Sequence, residues 1–443
     1  MDDLKTRVCA AVDASRPGLF AFADAVAARP ELGFFEVETA QRFSAALDQL
    51  GIRHQTGLAR TGVRAVLEGD APGPTVAVLG ELDALPVPGH PRADPATGVA
   101  HACGHNAQLA MVLGVAHALV ESDMLHHLAG RVVLMAVPAE EYVQLERRLE
   151  LRRQGELEFL GGKAELLRLG AFDDIDMAMM VHTISGPQYG AFAVGGSNNG
   201  VAAKLVRFVG RASHAGSSPD QGVNALNAAH VALAAMHAQR ETYRDADHVR
   251  VHPIITHGGD VVNAVPADVR MEMFVRGATL DAIADASAKV DRALRAGALA
   301  IGARVEVTTL PGYLPMQHDP TLVRLFRGNA ERLVGPDQVT DPGHRSGSTD
   351  MGDLSQIMPT VHPYAGGVVG QGHGADYEIV DPERAIANPA RALAMTVVDL
   401  LDDDAAGARE VLANAHPPLS RAAYLAFIRD LMRTWDYAEP TPS

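Results

Sequence analysis

The sequence predicts an α/β protein: a mostly parallel sheet domain interrupted by a ferredoxin-like α+β insertion. Three observations carry this. Between residues 62 and 181, short apolar strand-like runs alternate with helical apolar spacing, the βαβα rhythm of a sheet covered on both faces. Near residue 190 the texture changes to β-α-β-β-α-β within about 120 residues, the ferredoxin-like order. From Leu314 the first texture returns.

The elements follow in order. Helical spacing from Val8 to Val26 and from Thr39 to Leu50 predicts two opening helices. Gly62–Leu67 and Thr75–Leu79 read as strands, Ala107–Ser122 as a helix, Arg131–Ala136 as a buried strand, Gly162–Leu169 as a helix and Met177–Val181 as a strand. In the insertion, strands are expected over 201–209, 249–256, 267–276 and 305–308, with helices over 222–241 and 279–297. After it come a helix, the loop 341–353, strands near 360–368, a helix over 384–401 and one amphipathic tail helix over 418–434. The expected domains are 1–190 and 313–443 for the sheet domain, with 191–312 inserted.

Composition narrows the function. With 38 Lys+Arg against 54 Asp+Glu the net charge is −16, which repels phosphate surfaces and argues against a nucleic-acid or anionic-membrane partner. Two cysteines, Cys9 and Cys103, are too few for a disulfide framework. No apolar run reaches the length of a membrane helix and Met1–Lys5 has no signal-peptide core, so a cytoplasmic location is expected.

Four short segments carry chemistry, and three of them follow sheet strands, the edge where open α/β sheets place ligands. In Glu81-Leu82-Asp83-Ala84-Leu85-Pro86, two carboxylates stand at alternate positions; a solvated strand end would look the same. In His101-Ala102-Cys103-Gly104-His105-Asn106, thiolate and imidazole one residue apart can bind one ion or bridge two. In Pro138-Ala139-Glu140-Glu141, a turn would aim one carboxylate at a metal and the other at a substrate. His182 ends an apolar strand, where a core histidine is the ordinary alternative, and Gly370–Asp376 sets His373 among glycines. Together they supply Cys, His, Glu, His and His beside a second carboxylate, a set suited to metal-assisted hydrolysis.

The order of these motifs resembles the aminoacylase and carboxypeptidase-G family of metallo-amidohydrolases (metallopeptidase family twenty, subfamily D). Within it, the chain is most similar to the branch of indole-acetyl-amino-acid hydrolases and aminobenzoyl-glutamate hydrolase. Further markers are Pro30–Phe34 with Glu38-Thr39, Gly161-Gly162-Lys163, Gly210–Ala215, Val262–Pro266 and Ser348–Asp353. The resemblance implies metal ligands at Cys103, His105, Glu141, His182 and His373, a general acid/base at Glu140 and an orienting residue at Asp83. It implies that His214 reaches across a dimer to stabilise an oxyanion, and that Asn263 and Arg276 meet the substrate's polar end. Arg345 and Ser348 are further candidates for holding a carboxylate. The implied cofactor is a divalent transition metal (zinc, manganese, cobalt or nickel), one or two ions per subunit. The implied assembly is a homodimer or higher homo-oligomer built on the inserted domain, acting on a small molecule.

The chain departs from the family at Asn106, where the indole-acetyl type carries Asp, and in an insertion over Tyr142–Leu160 directly after the Glu140-Glu141 pair. The insertion reads either as a charged surface helix or as a cap bringing Tyr142 or an arginine to the substrate. The expected reaction is hydrolysis of the amide of an N-acyl or aromatic-acyl amino acid. Hydrolytic deamination of an aromatic amine of nitroanthranilate type, a catalytically silent metal-binding protein, and a nucleophilic hydrolase using Cys103 are the alternatives.

Overall fold

The computed structural model describes residues 2–438, and the chain divides into two compact units. The first pass of the chain builds one of them. Helices α1 (Asp2–Ala27) and α2 (Val37–Gln49) lead into strands β1 (His54–Leu58), β2 (Gly62–Glu68) and β3 (Ala71–Glu81). Helix α3 (His105–Glu121) is apolar on nearly every side and buried almost throughout, as a helix between a sheet and other helices must be. Strand β4 (Ala129–Val137), helices α4 (Leu145–Arg153) and α5 (Gly162–Arg168), and strands β5 (Met177–Met179) and β6 (His182–Ser185) complete this pass.

The second unit follows in the expected order: β7 (Gly200–Val209), α6 (Ala225–Ala238), β8 (Arg250–His257), β9 (Asp268–Gly277), α7 (Leu280–Ile301) and β10 (Arg304–Pro311). Its sheet is antiparallel, with β9 pairing both β8 and β7, and β7 pairing β10. Asn224 caps α6 by accepting the N–H groups of Leu226 and Asn227, and Thr279 caps α7 through Ala282. The inward residues of β9 alternate strictly and pack with Val290 and Leu294 of α7 into one core.

The chain then re-enters the first unit with α8 (Pro320–Val334), β11 (Thr360–Val361), β12 (Tyr364–Val369) and α9 (Asn388–Asn414), whose helical geometry breaks at Asp402–Ala405. The sheet order is β1-β2-β4-β3-β5-β11. Strands β4, β3, β5 and β11 run parallel, and β1 and β2 add an antiparallel edge. Because β3, β4 and β5 are parallel, their carboxyl ends open onto one edge. Glu81–Asp83, Ala139–Glu141 and His182 all follow directly from those ends.

The tail differs from expectation. A single helix over 418–434 is replaced by α10 (Arg421–Leu431) and a strand, β13 (Arg433–Tyr437), which pairs with β10. Trp435 and Tyr437 pack on the second unit's core, so apolar burial decides the tail's place there. No described helix is long and apolar enough to cross a membrane.

Candidate metal centre

Glu81 and Asp83 are fully buried, so the solvated strand end expected as an alternative for this segment is not what forms. Buried carboxylates need partners, and both have them. Asp83 Oδ1 and Oδ2 accept the main-chain N–H groups of Glu140 (3.1 Å) and Glu141 (2.8 Å). The Asp83 carbonyl lies 2.8 Å from His105 Nδ1, which turns His105 Nε2 the other way. Glu81 binds the buried Lys163 ammonium at 2.6 Å and lies 3.1 Å from His105 Nε2. Burial resists the Glu81 charge, but Lys163 and His105 outweigh it and hold the carboxyl below its ordinary range.

Gly104 starts α3 with φ +91, and a Cβ there would stand 2.3 Å from Thr183 Oγ1 and 2.5 Å from the Tyr377 hydroxyl. Only glycine lets the thiolate-bearing turn sit against Thr183. Cys103 Sγ is 3.4 Å from His182 Nε2, and His182 Nδ1 is fixed by the Thr183 carbonyl at 2.7 Å. Burial and the Glu141 charge push the Cys103 thiol up, but His182 and His105 outweigh them and bring it down to about 6. His373, with its backbone in the left-handed region, ties its N–H to the Ala102 carbonyl (2.8 Å) and brings Nε2 to 3.0 Å from Glu141 Oε1.

Three donor triads result, Cys103-His105-His182, Cys103-Glu141-His373 and Glu81-His105-Glu140, the atoms of each lying within 4.8 Å of one another. The first two share the thiolate. His105 Nε2 and Glu141 Oε1 are buried and make no hydrogen bond among the described residues. Each lies beside another potential donor, His105 Nε2 at 3.1 Å from Glu81 and Glu141 Oε1 at 3.0 Å from His373. Thiolate with imidazole and carboxylate is a donor set suited to a borderline transition metal. Glu140 belongs to neither Cys103-centred triad; it joins Glu81 and His105 in the third, its Oε2 lying 3.9 Å from His105 Nε2.

A further carboxylate, absent from the sequence reading, braces the same turn. Buried Glu36 accepts the Ala139 N–H at 2.8 Å and the Thr61 hydroxyl at 2.6 Å. Ala139 has φ +57, a strained conformation for a non-glycine residue that persists only when its neighbours fix it. Burial, with the Asp83 charge adding to it, raises the Glu36 carboxyl to about 8. Folding therefore favours the protonated form. Its stabilisation is complete below the ordinary carboxylate range and is lost as pH rises through about 8. Glu36→Gln keeps the shape without the titration. In metal-free protein its Tm should fall less than the wild type's between about pH 5 and 9, by a few degrees. Parallel Tm curves would contradict this.

Tyr142 is buried, with its ring centroid 5.8 Å from the Arg148 guanidinium. The remaining sequence candidates lie in the second unit. His214 forms a bridge with Ala264, and the Asn263 carbonyl accepts the Ala215 N–H at 2.9 Å, so His214 and Asn263 are neighbours. His214 Nδ1 accepts two main-chain N–H groups, from Gly216 and Ser217, each at 3.1 Å. A neutral imidazole held this way carries its proton on Nε2. Arg276 sits at the far end of β9, opposite Val201 and Arg250. At about 3.4 Å per residue, β9 separates it from the Asn263 end by roughly 27 Å. Arg345 and Ser348 lie on the segment His344–Gly352 of the same unit.

The model of peptidase family M20/M25/M40 matches residues 77–399. The chain is 31% identical over 340 residues to the Xaa-Arg dipeptidase of Mus musculus, covering 74% of this chain and 70% of that protein. It is 30% identical over 293 residues to the indole-3-acetyl-aspartic acid hydrolase of Enterobacter agglomerans, covering 63% of this chain and 62% of that one. Among solved structures, a dinuclear metal-binding M20 peptidase of Bacillus subtilis shares the fold, with TM-score 0.65, 22% identity and coverage of 88% of this chain and 99% of that one. The motif order, the fold and these matches agree: the chain belongs to peptidase family M20/M25/M40, on its amidohydrolase branch, and is a metal-dependent hydrolase of amide-type C–N bonds.

Proposed function

We propose that this enzyme hydrolyses the amide bond of an N-acyl or aromatic-acyl amino acid, with Glu140 as the general base. The observation that carries the reading is the position of Glu140. Its carboxylate stands outside both Cys103-centred triads, on a turn whose N–H groups Asp83 holds. The triad it does join, with Glu81 and His105, already has the Lys163 ammonium on Glu81 at 2.6 Å, which argues against a cation there and leaves Glu140 for the water. Cys103, His105 and His182 would hold one cation, and Cys103, Glu141 and His373 a second. A divalent cation there supplies Lewis acidity and lowers the pKa of water from about 15.7 toward 7. Glu140 takes the proton of the attacking water and later delivers it to the leaving nitrogen. Asp83 keeps that carboxylate aimed by fixing its main chain. Nothing in the site favours the deamination reading over this one.

His214 is the oxyanion donor in this reading, and its Nε2–H, implied by the two bonds to Nδ1, supports that role. The length of β9 between the His214–Asn263 end and Arg276 supports a division of labour between two subunits, because one small substrate cannot bridge both ends. Strand β8 supports pairing of two copies: it is an edge strand with Ile254 and Ile255 exposed, and the opposite edge is the short tail strand β13. Arg276, Arg345 and Ser348 would take the carboxylate of the amino acid, and Asn263 would come from the partner. His214→Ala should lower kcat by about 10²–10³. Mixing that variant with Glu140→Gln should restore activity that neither has alone, since one site per mixed dimer would be complete. A near-normal His214→Ala rate would remove the oxyanion role. No recovery on mixing would remove the crossed site.

A further inference from the structure

We propose that Arg148, delivered by the inserted helix α4, is a positioning residue that locks the Glu140-Glu141 turn. The side chain is almost fully buried, at 2% exposure, unusual for arginine. Its Nη1 donates to the carbonyls of Leu160 (2.6 Å) and Ala139 (3.3 Å), and its Nη2 donates to the carbonyl of Glu141. One guanidinium thus ties the residue before Glu140, the carbonyl of Glu141 and the end of the insertion. Phe34 and Tyr142 wall it in, with ring centroids 5.3 and 5.8 Å away. Gly33 makes the room: a Cβ there would lie 2.5 Å from Arg148 Nη2 and 2.8 Å from Ala139 Cα.

The turn is held from two sides. Glu36 and Asp83 accept the N–H groups of residues 139, 140 and 141, and Arg148 donates to carbonyls of the same three-residue stretch. Adjacent carboxylates can serve two different tasks only if their turn cannot rock. A rock about Ala139, which is strained at φ +57, would move both carboxylates from their present positions. The planar fork fixes the directions of its donors to three separate carbonyls, whereas lysine offers a compact charge with rotatable donors on a flexible stem. The inserted segment is therefore a brace for the turn, and Arg148 acts through the main chain without touching substrate.

The inference rests on Glu141 as a ligand and Glu140 as the base. The test uses full-length Arg148→Met and Arg148→Lys, each checked for folding by circular dichroism. Arg148→Met should lower kcat about 100-fold with KM within about twofold, as misplaced catalytic groups do. It should weaken zinc binding, measured by chelator competition, by about 10–100-fold. It should also shift the visible absorption of the cobalt-loaded protein, which a residue with a purely structural role would leave unchanged. Folded Arg148→Met with wild-type kcat, zinc affinity and cobalt spectrum would overturn the proposal. If the Met variant does not fold, Arg148→Lys decides: a folded, wild-type-like Lys variant overturns it too. An active Glu140→Gln enzyme would instead sink the base assignment, and the zinc and cobalt readouts of Arg148 would still stand on their own.

Discussion

Replacing Glu140 with Gln is expected to lower kcat by about 10²–10⁴, the range attributable to a positioned general base, while the bound metal is kept. The two halves of the result come from geometry. Glu140 lies outside both Cys103-centred triads, so its loss leaves three donors in each of them, and only the Glu81-His105-Glu140 cluster loses one. Its main chain stays anchored on Asp83, so the amide side chain occupies the same place with no basic oxygen. Steady-state kinetics with metal analysis of the same sample separates the two. Normal turnover would remove Glu140 as the base. Lost metal would make it a ligand.

The second large effect is expected at Cys103. Its thiolate belongs to two of the three triads, so one substitution damages two sites. Cys103→Ala should weaken metal binding more than the roughly 10–100-fold typical of losing a supporting residue. It should also reduce the ions bound at saturation, and activity should fall with them. His105 and His182 stay aligned in the variant, because Asp83 and Thr183 carbonyls hold their Nδ1 atoms. The loss would therefore report the thiolate and not a collapsed loop. Titration of metal-free protein, followed by metal analysis, reads this directly. Full metal content with unchanged activity would end the assignment of Cys103 as a shared ligand.

The clustered Cys, His and Glu residues were legible in the sequence because they lie in short contiguous motifs, Glu140-Glu141 and His182 after strands and Cys103-Gly104-His105 at the start of α3. The same holds for the inserted domain, where the periods of 2 and 3.6 are clean enough to give β7-α6-β8-β9-α7-β10. What escaped is what tertiary contact alone creates. Glu36 meets Ala139 across 103 positions and Lys163 meets Glu81 across 82, and no local pattern marks such pairs. The signal available was Gly33 beside Phe34, a small residue where the structure needs room for Arg148. Arg148 itself was masked by composition: a helix reading Leu-Glu-Arg-Arg-Leu-Glu-Leu-Arg-Arg looks solvated, yet this one arginine turns inward. Strand β13 was hidden for the opposite reason, since Arg433–Tyr437 is too short to outweigh the helical spacing before it.

Strand arithmetic also bears on the substrate residues. Asn263 and Arg276 look close in sequence, but an extended β9 lies between them. That separation is what motivates the proposal that a substrate touching both draws them from different copies of the chain.

The most direct test of the account is product analysis by mass spectrometry. Purified protein would be given an N-acyl amino acid panel that includes indole-acetyl-aspartate and aminobenzoyl-glutamate, alongside substituted aminobenzoates. Each would be assayed with added zinc, manganese or cobalt, and after chelation. The account predicts release of a free amino acid and the matching acid in equal amounts, abolished by chelation and restored by metal. Ammonia and a hydroxylated ring from an aminobenzoate, with no amino acid from any amide, would contradict it.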